Sequence, residues 1–378
     1  MNAHVSQGGW PVLVLNADFR PLSYYPLSLW SWQDAVKAVF LDRVNIVAQL
    51  DRYKGGFSGD GDWHSTRRYL ITKDNDLNRI GSKVIAEGES SMGEGATLVD
   101  FVDWTVKNYP ADRYVLILSD HGMGWPGGWT DPDPQTRSTE TAPLAGALGN
   151  ALYLNELDAA LAQVQQQVGL DKFEIIGMDA CLMAQLEVFT ALQPYANYAV
   201  ASQETEPAVG WAYTAFLNNL VNNPDISGAD LSKSIVATYI QDDQRIQDPE
   251  ARAAMYSRGG YLGMSGVPSA QQVIQQMGQD VTLTAVDLNA IPNLNQAVDN
   301  LAVAMQQVDQ RAIAKARSYA QAYTSIFGSD VPPSYLDLGN FISLLQQVDK
   351  SSGTQQAGNA VLAALQQAVI AEKHGPGK

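Results

Sequence analysis

Cysteine is almost absent: a single thiol, Cys181, stands among 378 residues. That excludes an intrachain disulfide and any C-x-x-C zinc or redox motif. Histidine is nearly as scarce. The four imidazoles (His4, His64, His121 and His374) are scattered, and no H-E-x-x-H run exists, so no metal site is assigned from them. No apolar stretch reaches the roughly 18 residues that a membrane-spanning helix requires. Basic residues are the minority, 24 against 40 acidic, and the formal net charge of −16 disfavours nucleic acid while attracting cations and basic peptides. The opening segment, MNAHVSQGGWPVLVLNADFR, lacks a basic stretch followed by an apolar one and does not read as a signal peptide.

What is present points to a globular protein with a real core: 46% of residues are hydrophobic and 17% charged. Short apolar runs rich in β-branched residues lie at 12 to 15, 44 to 50, 114 to 119, 173 to 178 and 198 to 202. They are the pattern of strands buried on both faces. Helical periodicity separates them, at 29 to 41, 97 to 108, 153 to 168 and 182 to 193. Strand alternating with helix means parallel strands joined by crossovers, hence an α/β sheet. Two stretches break the rhythm: a hairpin-like excursion at 52 to 76, and a Gly-, Pro-, Asp- and Thr-rich loop at 122 to 150. Beyond about residue 225 the composition shifts to Ala, Gln, Asn and Val, which predicts helices at 227 to 243, 291 to 327, 336 to 348 and 353 to 372 and one strand at 281 to 287. The expected organisation is a domain over 10–225 and a mainly helical C-terminal region over 226–378.

Ligands of doubly wound sheets bind beyond the carboxyl ends of the strands. Two strands end in reactive residues: YVLILS runs into Asp120-His121-Gly122, and FEIIGM runs into Asp179-Ala180-Cys181. If they are neighbours, thiol and imidazole share one edge. An ordinary thiol is mostly protonated at neutral pH, so a nearby imidazole is the simplest activator. A helix beginning at Leu182 would add its positive end. Gly122, without a side chain, lets its amide join that of Cys181 in binding an oxyanion. Each residue alone also has a plain structural reading, an inert core thiol or a strand-end histidine.

LILSDHGMGWPGGW, IIGMDACLMAQLEVF and YAVASQETEPAVGWAY together resemble the clostripain-type cysteine peptidases, relatives of caspases, gingipains and legumain. The resemblance implies a caspase-like α/β fold: a mainly parallel sheet flanked by helices, with a mostly helical C-terminal region. It implies a cysteine endopeptidase cutting after Arg or Lys, with Cys181 as nucleophile and His121 as acid/base. A buried cationic side chain needs a carboxylate. Asp179, Glu204 and Glu206 are the candidates, and the resemblance favours Asp179 plus an acid of the later loop. It also implies self-cleavage between the histidine and the cysteine, where Arg137 is the only basic residue between His121 and Lys172. No organic cofactor is implied; some relatives bind calcium, but Asp131-Pro132-Asp133 is too short to establish a site. Expected partners are peptides or proteins bearing basic residues. The resemblance suggests a secreted or envelope location.

The chain departs from that pattern in places. It has Gly210-Trp211-Ala212-Tyr213 where family members often carry Gly-Trp-Asp-Tyr. Residues 11 to 48 resemble the leader ahead of bacterial HNH endonuclease modules, yet no His-Asn-His metal module follows. The chain stops at AEKHGPGK, where relatives continue into a further strand. The rival expectation is a non-catalytic pseudo-peptidase that retains only a peptide groove.

Overall fold

The computed structural model describes residues 10–16, 44–52, 63–72, 80–131, 149–207, 209–258, 266–327 and 331–378. The helix expected at 29 to 41, the Gly-Asp-Gly turn and Arg137 lie outside them. The strands are β1 (Trp10–Asn16), β2 (Val44–Asp51), β3 (Thr66–Leu70), β4 (Val84–Gly88), β5 (Val115–Ser119), β6 (Gly127–Thr130), β7 (Ala151–Tyr153), β8 (Phe173–Asp179), β9 (Ala196–Ala201), β10 (Thr282–Asp287) and β11 (Val369–His374). Nine of them form one sheet in the order β11-β10-β9-β8-β5-β1-β2-β3-β4, and β6 pairs with β7 separately. The middle of the sheet, β9-β8-β5-β1-β2, is parallel, while both edges are antiparallel. The segment that resembles an HNH leader thus supplies β1, a central strand flanked by β5 and β2.

Alternation along the strands builds two cores. Leu116, Leu118, Ile176 and Met178 pack on one face, and Val115, Ile117 and Ile175 on the other. The first face is covered by α1 (Gly95–Asn108), which contributes Leu98 and Phe101, and α2 (Leu154–Gln163), which contributes Leu157 and Leu161. The second is covered by α4 (Tyr213–Asn222) through Phe216 and Leu217, and by α5 (Gly228–Thr238) through Leu231 and Ile235. Each such side chain stabilises the fold by roughly 1.5–3 kcal/mol through burial. Between these pairs lies the short α3 (Leu186–Leu192).

The C-terminal region carries α6 (Gln244–Gln247), α7 (Pro249–Arg258), α8 (Ala270–Met277), α9 (Ile291–Met305), α10 (Gln310–Tyr319), α11 (Leu338–Val348) and α12 (Ser352–Ala368). The single helix expected over 291 to 327 is two, the second capped by the Asp309 carboxylate on the Arg311 amide. The last expected helix ends at Ala368 rather than 372. β-branched Val369 and Ile370 turn instead into β11, antiparallel to β10. Among the described residues no helix is long and apolar enough to cross a membrane.

Candidate active site

β5 and β8 are adjacent, parallel and in register, Ser119 opposite Asp179. The Asp120 amide extends the ladder by donating to the Asp179 carbonyl at 3.2 Å. Just past that point the chains touch. A Cβ on Gly122 would lie 2.0 Å from the Cys181 carbonyl oxygen and 3.0 Å from its carbonyl carbon and amide nitrogen, so only glycine admits the Cys181 peptide here. The β6 strand supports the same loop: the Trp129 amide donates to the His121 carbonyl at 2.7 Å, and the Met123 amide to the Gly127 carbonyl at 2.8 Å. Among the described residues no backbone carbonyl accepts from the Gly122 or Cys181 amides. His121 is partly exposed, and Cys181 is 7% exposed.

Cys181 does not open a helix. The chain turns over residues 180 to 185, Leu182 takes a left-handed φ of 67°, and α3 begins only at Leu186. The Leu182 amide donates to the Glu204 carbonyl at 3.2 Å and the Ala184 amide to the Ser202 carbonyl at 2.8 Å. These amides are spent on the loop after β9, which is why no helix starts there, and the helix-dipole argument for a thiolate fails with it. The sulfur instead accepts the Glu206 amide at 3.2 Å. Burial pushes the thiol's pKa up, the Glu206 amide opposes this, and the charges of Asp179 and Glu204 add to the rise. The net effect favours the neutral thiol at Cys181.

Two of the three candidate acids sit together beside the sulfur. Asp179, 7% exposed, accepts the Tyr213 hydroxyl at 2.8 Å and the Ser119 hydroxyl at 3.3 Å. Gly210, at φ +62°, lets the backbone lie against it; a Cβ there would be 2.8 Å from its Oδ2. Glu206 is partly accessible as a residue, but its Oε2 is sealed and meets no donor among the described residues, while its Oε1 accepts the Trp211 indole at 3.3 Å. The Asp179 carboxyl lies close enough for its charge to oppose ionisation of Glu206. Burial raises both, Glu206 much further because the Asp179 charge opposes its ionisation. Tyr213 and the nearby Arg245 draw Asp179 back, so Glu206 is the harder of the two to ionise. Arg245, itself 1% exposed, is paired with Asp243 and donates to the Trp211 carbonyl at 3.1 Å.

Glu204 points elsewhere. It is 2% exposed and pairs with Lys378 Nζ at 2.6 Å, and it accepts the amides of Thr205 at 2.9 Å and Thr324 at 3.2 Å. Burial alone would raise its pKa, but the bonds from Lys378 and Thr324 outweigh it and hold the carboxyl below its usual value.

Helical periodicity hid residues 321 to 327, which together with 331 to 337 form a strap beside Cys181. The Tyr323 amide donates to the Tyr335 carbonyl and the Asp337 amide to the Gln321 carbonyl, each at 2.9 Å. Tyr335 and Leu182 share a buried apolar cluster with Cys181, with Tyr323 and Ile326 packed against it. Val331-Pro332-Pro333, inside the strap, falls between the helices expected at 291 to 327 and 336 to 348 and is itself a helix-breaking signal.

The sequence matches the clostripain family over residues 32–377. Clostripain of Hathewaya histolytica is 24% identical over 306 residues, 71% of this chain and 51% of that protein; the chain thus spans about half the length of this curated relative. The solved inactive zymogen of a C11 protease from Parabacteroides distasonis superposes with a TM-score of 0.63 at 18% identity, covering 98% of this chain and 85% of that one. A secreted C11 cysteine protease from Bacteroides thetaiotaomicron, solved with an irreversible peptide inhibitor, gives a TM-score of 0.57 at 21% identity, covering 97% and 84%. These likenesses establish the caspase-like fold.

Proposed function

The chain belongs to the clostripain family, and on that premise we propose that it is a cysteine endopeptidase hydrolysing peptide bonds after Arg or Lys. The observation that carries the reading is the seating of Gly122 directly on the Cys181 peptide, which holds the histidine segment against the backbone of the nucleophile. In the proposed reaction His121 takes the thiol proton as Sγ attacks the scissile carbonyl. The oxyanion is held by the Gly122 and Cys181 amides, each worth roughly 3 kcal/mol. His121 then gives its proton to the departing amine, leaving a thioester on Cys181; a water deprotonated by the same imidazole hydrolyses it. A cationic side chain of the substrate faces Asp179, and its arrival favours ionisation of Glu206. Glu204, already paired with Lys378, takes no part in the pocket. Activation by self-cleavage after Arg137 belongs to the same proposal. The reaction needs no organic cofactor, and assay in a chelator reads any calcium requirement.

Arginyl, lysyl and leucyl fluorogenic peptides test it. Turnover is expected for the first two only, and loss of it in Cys181→Ala and on iodoacetamide treatment. Asp179→Asn is expected to raise KM for the arginyl peptide by about 30-fold or more, the cost of an unpaired buried cation. No turnover before or after trypsin nicking would favour the pseudo-peptidase reading, to which the buried, protonated sulfur beside its strap lends support.

A further inference from the structure

Four described hydrogen bonds fall on the backbone of residues 121, 123 and 125 in the histidine loop. Trp129 holds the His121 carbonyl, Gly127 holds the Met123 amide, and the Gln185 side chain accepts the Trp125 amide at 3.0 Å. The fourth comes from the distant C-terminal region: the Tyr335 hydroxyl donates to the Met123 carbonyl at 2.5 Å, across 212 positions of sequence. Tyr335 is 5% exposed and belongs to the same small buried cluster as Cys181 and Leu182. One side chain therefore links both halves of the proposed catalytic pair: its ring belongs to the cluster that holds the nucleophile, and its hydroxyl bonds the acid/base loop.

We propose that Tyr335 is a positioning residue for peptide hydrolysis, setting the His121–Gly122 loop against Cys181 from the strap. The inference rests on the peptidase reading above. The strap is anchored well enough to do this. Its Thr324 amide is held by Glu204 at 3.2 Å, the Pro333 carbonyl accepts from Arg317 at 2.8 Å, and Phe327 stacks on Trp125 of the histidine loop with centroids 6.1 Å apart. Phe327 also meets the Tyr335 ring edge-on at 6.3 Å. Without the hydroxyl the Met123 carbonyl loses its described partner, and the loop two residues from the imidazole is freed to drift. Displacements of this kind are costly in kcat, because reacting atoms must meet within a few tenths of an ångström.

Tyr335→Phe keeps the ring in its apolar cluster and deletes only the donor. Expected in this variant is a fall in kcat of about tenfold or more for the arginyl peptide, with KM within about twofold. The melting temperature should change by no more than about 3 °C. Hydrogen exchange of the 121–125 amides should accelerate while that of the β8 amides does not. Unchanged kcat with unchanged exchange overturns the proposal. So does a kcat lost in parallel with a large drop in melting temperature, the mark of a merely structural tyrosine. If the wild-type protein turns over no basic peptide, the peptidase reading fails, and the exchange of residues 121–125 still decides whether Tyr335 holds the loop.

Discussion

A buried carboxylate without a cation works against the fold that contains it. Asp51, at the end of β2, is 4% exposed and accepts the Thr66 hydroxyl at 2.7 Å. Burial is the main reason its pKa is raised to about 7, with the Asp131 and Glu89 charges adding to it. The unfolded chain releases this proton near pH 4, the folded one near 7, so between those values the folded state holds a proton that the unfolded state has lost. Stability therefore falls as pH rises through that window and is level above it. An asparagine in its place cannot ionise and can still accept from Thr66. Asp51→Asn should melt at the same temperature as the wild type near pH 4 and above it at pH 8. The gain has a ceiling of about 4 kcal/mol. Thermal melts across pH 4 to 8 check this, and a gap that does not widen with pH would remove burial of charge as the cause.

The contact between two strand-end loops can be tested at a single glycine. A methyl group on Gly122 would meet the Cys181 carbonyl oxygen at 2.0 Å, so Gly122→Ala must push the two loops apart. Its arginyl kcat/KM should drop at least about 100-fold, with a stability cost of about 1–3 kcal/mol. Gly353→Ala, in α12 with nothing within 4 Å, serves as the control and should be neutral or slightly stabilising. Near-normal activity in Gly122→Ala would refute the proposed geometry. This contact was legible in the sequence, because apolar β-branched runs mark buried strands and parallel neighbours deliver their carboxyl ends to one edge. The turn behind Cys181 was not: residues 182 to 193 carry helical periodicity, and only the carbonyls of Ser202 and Glu204 draw the first amides away from a helix. Glu204 read as a pocket acid because sequence shows the charge but not Lys378, which claims it. The strap was hidden for a related reason. Its hold on the site is a hydroxyl and two rings reaching across more than half the chain, and periodicity is blind to such contacts. The antiparallel edges escaped notice likewise, since a strand's direction depends on its partner.

At the scale of the molecule, the order of strands along the sheet decides what a cut after Arg137 can do. The residues before it supply β1 to β6 and those after it β7 to β11, and the two sets lie side by side in the main sheet, meeting where β5 pairs with β8. β5 is hydrogen-bonded to β8 along its whole length, β6 pairs with β7, and α1 and α2 bury Phe101 and Leu157 in one cluster. Tyr335 and Met123 join the two parts again at the site. Cleavage between β6 and β7 removes one covalent link and none of these contacts, so the products should separate only when the sheet itself unfolds. An active preparation is expected to run as two bands on a denaturing gel and to elute from gel filtration where the uncut Cys181→Ala chain elutes. Arg137→Ala should stay a single band. Catalytically dead Cys181→Ala should stay uncut alone and be cut when mixed with wild type, provided the loop is reachable by a second molecule. Full activity from a preparation that never shows the second band would remove self-cleavage from the scheme. It would leave the pairing of Gly122 with Cys181 untouched, because that contact depends on the β5–β8 ladder and not on the segment between them.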